Sequence, residues 1–154
     1  MDSLRFAKFL VAAKKASYAE KRNYPVILED QSKELVFEAN SLRYRDRYFG
    51  LNPFVGEEVV FENGKPIWAM NYFGTVLQKD LSPESVYTFL REALKFVEPE
   101  RPYRGPRSYT AGEYEYRDHS EGKLDFFIGM EHIRFRGQVI YKLNYHGGLL
   151  DKLS

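Results

Sequence analysis

The sequence predicts an α+β fold built by internal duplication. A helix followed by three or four antiparallel strands occurs twice, and the two copies share one core about a pseudo-twofold. Three observations carry this. Two segments have apolar residues at helical spacing, and Phe9-Leu10 in the first matches Phe89-Leu90 in the second at a shift of 80 residues. Each is followed by short alternating runs punctuated by Gly, Asn and Pro, the pattern of antiparallel strands. Finally, Phe54–Leu77 laid on Phe127–Leu150 gives nine identities in 24 positions, where average residue usage gives about one or two. Tyr44-Arg45-Asp46 likewise matches Tyr116-Arg117-Asp118.

The elements follow in order. Phe6, Phe9, Leu10 and Ala13 mark the buried face of the first helix, which Asp2 or Ser3 can cap. Tyr18–Glu34 is polar apart from Pro25-Val26-Ile27-Leu28 and reads as a surface excursion with one anchored apolar patch. Strands are expected at Leu35 to Glu38, Leu42 to Phe49, Val55 to Glu62 and Lys65 to Phe73. Asn63-Gly64 between the last two is a type I′ hairpin signal, because both residues must accept positive φ. In the second helix Ser82 is the expected N-cap, Pro83 fits the first turn and Glu84 complements the dipole. Val86, Phe89, Leu90, Ala93, Leu94 and Val97 form its stripe and Pro99 ends it. Strands follow at Tyr109 to Asp118, Phe127 to Phe135 and Gln138 to His146.

The 154 residues fit a single domain, 1–154, whose repeat halves are about 1–79 and 80–154; one half alone would be marginal. The absence of Cys removes disulfides, thiolate catalysis and Cys-ligated zinc. With 23 Lys+Arg against 22 Asp+Glu, direct nucleic-acid binding is not expected. Basic residues of the first segment (Lys8, Lys14, Lys15, Lys21, Arg22) and of the Pro-rich loop (Arg101, Arg104, Arg107) read as a solvated helix face and an exposed linker. No apolar run approaches a membrane span and no signal-peptide pattern opens the chain, so a cytoplasmic location is expected. No phosphate-cradling or dinucleotide motif occurs, and no cofactor or metal is expected.

Strand alternation sorts the side chains. Trp68, Met70 and Tyr72 share a face expected to be core, as do Tyr141, Leu143 and Tyr145. The opposite face carries Ile67, Asn71 and Phe73 in one half and Ile140, Asn144 and His146 in the other. Asp46 and Asp118 fall on the aromatic faces of their strands, with Tyr44 and Tyr116, where a covered carboxylate needs a partner. Glu58 and Glu131 occupy matching places in Phe-x-Gly-x-Glu: either acid and base, or strand-end charges bonded to their own turns. His146, in Asn144-Tyr145-His146-Gly147-Gly148, is a candidate general base, although its counterpart is Phe73.

Gly56-Glu57-Glu58-Val59-Val60, Asn63-Gly64-Lys65-Pro66-Ile67-Trp68-Ala69-Met70-Asn71-Tyr72-Phe73-Gly74 and Tyr145-His146-Gly147-Gly148-Leu149, with Tyr44-Arg45-Asp46 before them, resemble a family of uncharacterised bacterial and archaeal domains. The resemblance spans Phe9-Leu10 to Leu150. Such domains stand alone or lie behind helix-turn-helix domains in transcriptional regulators, which implies a sensor-type role and carries no catalytic residue over. The duplicated unit is also similar to gyrase-inhibitory-like effector-binding domains, in which paired modules form a small-molecule cleft.

The function expected is therefore a small-molecule binding module with an aromatic, acid-lined groove. Tyr44, Trp68, Tyr72, Tyr116 and Tyr145 would stack on the ligand. Asp46, Glu58, Asp118 and Glu131 would orient it, with Asn71, Asn144 and His146 nearby. Two alternatives stand beside it. One is a hydrolase or isomerase using Glu58, Glu131 or His146; the other is a homodimer joined through the mixed sheet face bearing Ile67 and Ile140.

Overall fold

A computed structural model describes residues 2–19 and 24–151. Helix α1 spans Ser3–Ala19 and buries Phe6, Leu10 and Ala13. Its cap is Asp2, whose Oδ1 accepts the Leu4 N–H at 3.0 Å. Four strands follow an exposed two-residue strand: β1 (Val26–Ile27), β2 (Lys33–Ala39), β3 (Leu42–Phe49), β4 (Phe54–Glu62) and β5 (Lys65–Val76). Helix α2 (Pro83–Leu94) comes next, then β6 (Ser108–Ala111), β7 (Tyr114–Lys123), β8 (Phe126–Phe135) and β9 (Gln138–Leu149). Pro83 opens α2 as expected, but the Ser82 side chain makes no capping hydrogen bond.

All nine strands join one sheet in the order β1-β2-β3-β4-β5-β9-β8-β7-β6, each neighbouring pair antiparallel. Two meanders thus run outward from a central β5/β9 pair, in which Tyr72 lies opposite Tyr145. This corrects the predicted fold class. Strand makes up 52% of the structure and helix 19%, in two helices, so the molecule is largely β and not a helix-plus-few-strands α+β arrangement or a gyrase-inhibitory-like pair of modules. The reason is local. The run read as one strand from Tyr109 to Asp118 turns back at Gly112 (φ +59°) to make a hairpin. The hydrogen-bonding edge that β5 would leave open is taken by β9, which merges both strand sets into one layer.

Both helices lie on one face of this sheet and enclose the core. Trp68, Met70 and Tyr72 are buried there, as are Tyr141, Leu143 and Tyr145, the faces that alternation predicted. Asn63 and Gly64 take φ of +50° and +81° in the β4–β5 hairpin, as the type I′ signal requires. Ile67 and Ile140 depart from expectation. A register shift after Val60 in β4 and another after Ile133 in β8 leave each as the extra residue of a bulge. Ile140 is consequently buried and Ile67 partly buried, so neither offers an open apolar face. Of the patch expected in that excursion, Val26 and Ile27 are 63% and 66% exposed and pair with the edge of β2, while Pro25 and Leu28 are partly buried. Lys21 and Arg22 lie outside the described residues.

Candidate functional site

The helix-covered face carries four acids in two matching sets. Asp46 on β3 lies directly opposite Glu58 on β4, and Asp118 on β7 lies directly opposite Glu131 on β8. All four are buried. In each set a tyrosine two strands away reaches across to the aspartate. Tyr72 donates its hydroxyl to Asp46 Oδ1 at 2.5 Å, and Tyr145 donates to Asp118 Oδ1 at 2.9 Å.

The strand between each tyrosine and its aspartate bears Gly56 or Gly129, and the phenol lies flat over it. A Cβ on either glycine would come closer than 3.0 Å to the ring, inside van der Waals contact. This explains why Gly precedes Glu by two residues in both halves of the sequence. The glycine is a gap through which the tyrosine reaches the acid, and the glutamate occupies the next inward-facing position of the same strand.

Each glutamate has its own cation. Lys14 of α1 donates to Glu58 Oε2 and, at 2.6 Å, to the carbonyl of Tyr103. Its ammonium also sits 5.9 Å from the Tyr44 ring centroid and 6.0 Å from that of Trp68. Burial pushes the Lys14 ammonium down from its ordinary range, against the pull of Glu58. Arg104, from the loop between α2 and β6, pairs with Glu131 through Nη2 at 2.7 Å and Nε at 3.2 Å. Tyr116 and Tyr141 donate to the same carboxylate at 2.6 and 2.9 Å. A third cation, Arg101, meets Asp118 at 3.1 Å.

Asp46 is the exception. Among the described residues it has no ion-pair partner, and nothing donates to its Oδ2. Burial, then the neighbouring Glu58 carboxylate, raises the Asp46 carboxyl to about 7 against the Tyr72 hydrogen bond and the charges of Lys14 and Arg104. Asp118 is also raised to about 7, by burial and Glu131, despite Arg101.

Asp46 differs from Asp118 in what lies above it. It forms, with Tyr72 and Arg104, the floor of a cleft of about 910 Å³ between the helices and the first meander. Tyr18 and Ser17 of α1 line one side, and Tyr87, Leu90 and Leu94 of α2 the other. Leu35, Tyr48, Leu51 and Phe54 close the sheet side. Tyr87 is fixed there by donating its hydroxyl to the Leu51 carbonyl at 2.6 Å. Lys33, Arg91 and Lys95 also line this cleft, with Glu92 among them. The size, the aromatic walls and a few convergent polar groups are those of a small-molecule site.

The residues singled out from sequence fall into three places. Asp46 and Tyr72 line the cleft. Tyr44, Glu58, Trp68, Tyr116, Asp118, Glu131 and Tyr145 lie in the buried layer. Glu58 and Glu131 do not face one another: β5 and β9 lie between their strands, a gap of about 14 Å at the usual strand spacing. Nor do they bond their own turns; each is held by a distant cation. Asn71, Asn144 and His146 are exposed on the other face of the sheet, where Phe73 and Met130 are also exposed, so the sheet separates them from the cleft. Among the described residues no three His, Asp or Glu side chains are grouped as a metal site requires.

Sequence reasoning missed Lys14 and Arg104 by assigning them to a solvated face and a linker; both are almost wholly buried. For Lys14 a signal existed, since it lies four residues after Leu10 and so continues the buried stripe. It also missed Tyr18, Tyr48 and Tyr87, which owe their places to the fold and not to any motif.

These features define a largely β protein, one antiparallel sheet covered on one face by two helices, with a charge-bearing core that opens into a cleft. The chain belongs to a family described as a domain of unknown function, DUF5680, whose model matches residues 46–150. No curated protein and no solved structure matches. No described helix is long and apolar enough to cross a membrane.

Proposed function

We propose that the chain is a binding module for a small molecule held in the cleft above Asp46. The observation that carries this reading is the cleft floor. A buried carboxylate with one oxygen left without a donor opens into a space of about 910 Å³ walled by aromatic and aliphatic side chains. Asp46 Oδ2 receives no donor from the described residues and is not fully enclosed, so a donor on a molecule in the cleft can reach it.

The module is read as an internal repeat. The sets Asp46–Gly56–Glu58–Tyr72 and Asp118–Gly129–Glu131–Tyr145 share strand pairings and hydrogen bonds, which supports common descent of the two meanders. The second set is fully partnered by Arg101 and Arg104 and serves as scaffold; the first is the one adapted to a ligand.

The test is a thermal-shift screen of the full chain against amines, nucleotides and aromatic metabolites. A ligand at a hundred times its Kd adds about 2.7 kcal/mol, which for a chain of this size raises Tm by about 5–10 °C. Amide shifts on addition of a hit are expected at Tyr48, Leu51, Tyr87 and Arg91. Leu51→Trp, which fills the mouth from an exposed position, should weaken every hit. A screen flat across all three classes rejects the reading.

A further inference from the structure

The two acid sets differ in one respect that identifies a ligand chemistry. Over Asp118 a guanidinium, that of Arg101, completes the carboxylate; Tyr145 supplies the other donor. Over Asp46 the tyrosine donor is present and the cation is missing among the described residues, and the space in its place is the cleft. The charge balance says the same. Among the described residues, Asp46, Glu58, Asp118 and Glu131 face Lys14, Arg104 and the partly buried Arg101, four acids against three bases. With all four acids ionised, one positive charge is lacking among the described residues, and Asp46 is where the layer is open.

We propose that the cleft takes a ligand with a single positive charge, an ammonium or guanidinium on an aromatic or aliphatic body, and that this cation sits on Asp46 as Arg101 sits on Asp118. The assignment rests on the reading of the cleft as a small-molecule site. Of the cations in the lining, Arg104 is paired with Glu131, and Lys33, Arg91 and Lys95, with only Glu92 among them, oppose a second positive charge, so the cleft selects monoamines over polyamines and tolerates an anionic group at the ligand's outer end. The Tyr72 and Tyr48 rings also line the cleft, each with a cation of the chain near it: Arg104 lies 5.5 Å from the first centroid and Lys33 5.8 Å from the second.

Binding depends on pH through Asp46. The groups around it are Glu58 of β4, Tyr72 of β5, Lys14 and Tyr18 of α1, Arg104 of the loop and Tyr48 of its own strand, with Arg91 and Glu92 of α2 across the cleft. Its carboxyl, raised to about 7 in the free protein, must ionise to hold a cation, so affinity falls as pH drops through that value. An alkylammonium probe stays charged throughout, since such groups titrate near 10.

The experiment is calorimetric titration of the full chain with 2-(2-naphthyl)ethylamine, with the matched neutral alcohol 2-(2-naphthyl)ethanol, and with a naphthyl diamine carrying a second ammonium at the far end. At pH 8 the amine should bind about tenfold or more tightly than the alcohol, the strength of a charge-assisted hydrogen bond. The diamine should bind more weakly than the monoamine, and monoamine affinity should fall about tenfold between pH 8 and pH 6. Asp46→Asn should abolish the amine's advantage and leave alcohol binding in place. The alcohol comparison and the pH profile use the unmodified chain and decide the matter even if that variant folds poorly. Equal binding of amine and alcohol, or an amine preference retained without Asp46, overturns the cation assignment while leaving the cleft a binding site. Absence of binding by all three probes, together with a flat screen, rejects the site and this assignment with it.

Discussion

Arg104→Met is expected to cost the fold about 3–5 kcal/mol, the usual result of removing one partner from a buried ion pair. Arg104 is 3% exposed and supplies three close contacts to Glu131, which is wholly buried. Without the guanidinium, Glu131 retains the hydroxyls of Tyr116 and Tyr141 but no countercharge. Arg104 also donates to Tyr18 at 3.4 Å and lies 5.5 Å from the Tyr72 ring centroid, so its loss loosens the contact of α1 with the centre of the sheet. For a chain of this size the drop in Tm is about 10–15 °C. Urea unfolding measures it directly. Adding Glu131→Met to the variant should restore only part of the loss, since it removes the unpaired charge but leaves the Tyr116 and Tyr141 hydroxyls without their shared acceptor. A single variant within about 1 kcal/mol of the parent would show that the pair does not hold the layer together.

Gly129→Ala should be nearly as damaging, at about 3 kcal/mol or more, although it adds one methyl group. The new Cβ would occupy space already filled by the Tyr145 ring. Overpacking a dense core costs about 1–3 kcal/mol by itself. Moving the ring also removes the hydroxyl donor from buried Asp118, for a further cost of about 1–3 kcal/mol. Tyr145→Phe isolates the second contribution and should be milder than Gly129→Ala. Combining Gly129→Ala with Tyr145→Leu should be less destabilising than the separate effects together, because the smaller side chain relieves the overlap. Additive losses would indicate that the glycine is kept for its backbone and not for the passage of the tyrosine.

The parts of this structure that were legible in the sequence are those set by short-range periodicity. The β4–β5 hairpin follows from Asn63-Gly64, and the inward faces of β5 and β9 follow from alternation. The placement of Asp46 and Asp118 among aromatic side chains was legible for the same reason. The match between Gly56-x-Glu58 and Gly129-x-Glu131 could be seen, but its cause could not. The tyrosine that needs the gap comes from the next strand, and its target from the strand beyond. The fold class was misjudged because nothing local reveals that β9 takes the edge of β5. Ile67 and Ile140 were misplaced because a bulge inserts one residue and reverses alternation beyond it. Lys14 and Arg104 were misplaced because composition treats a cation as solvated, while here a buried carboxylate 44 or 27 residues away in the chain compensates each.

The most direct measurement is a carbon-detected NMR titration of the Asp46 and Asp118 side-chain carboxyls, without ligand and with saturating 2-(2-naphthyl)ethylamine. Without the amine both should titrate near 7, well above an exposed aspartate. With it, Asp46 should drop to about 6 or below as the ammonium favours its ionised form, and Asp118, already paired with Arg101, should stay where it was. An Asp46 that titrates near the ordinary value of about 4, or one that the saturating amine leaves unmoved, would contradict the assignment of this carboxylate as the open end of the buried charge layer.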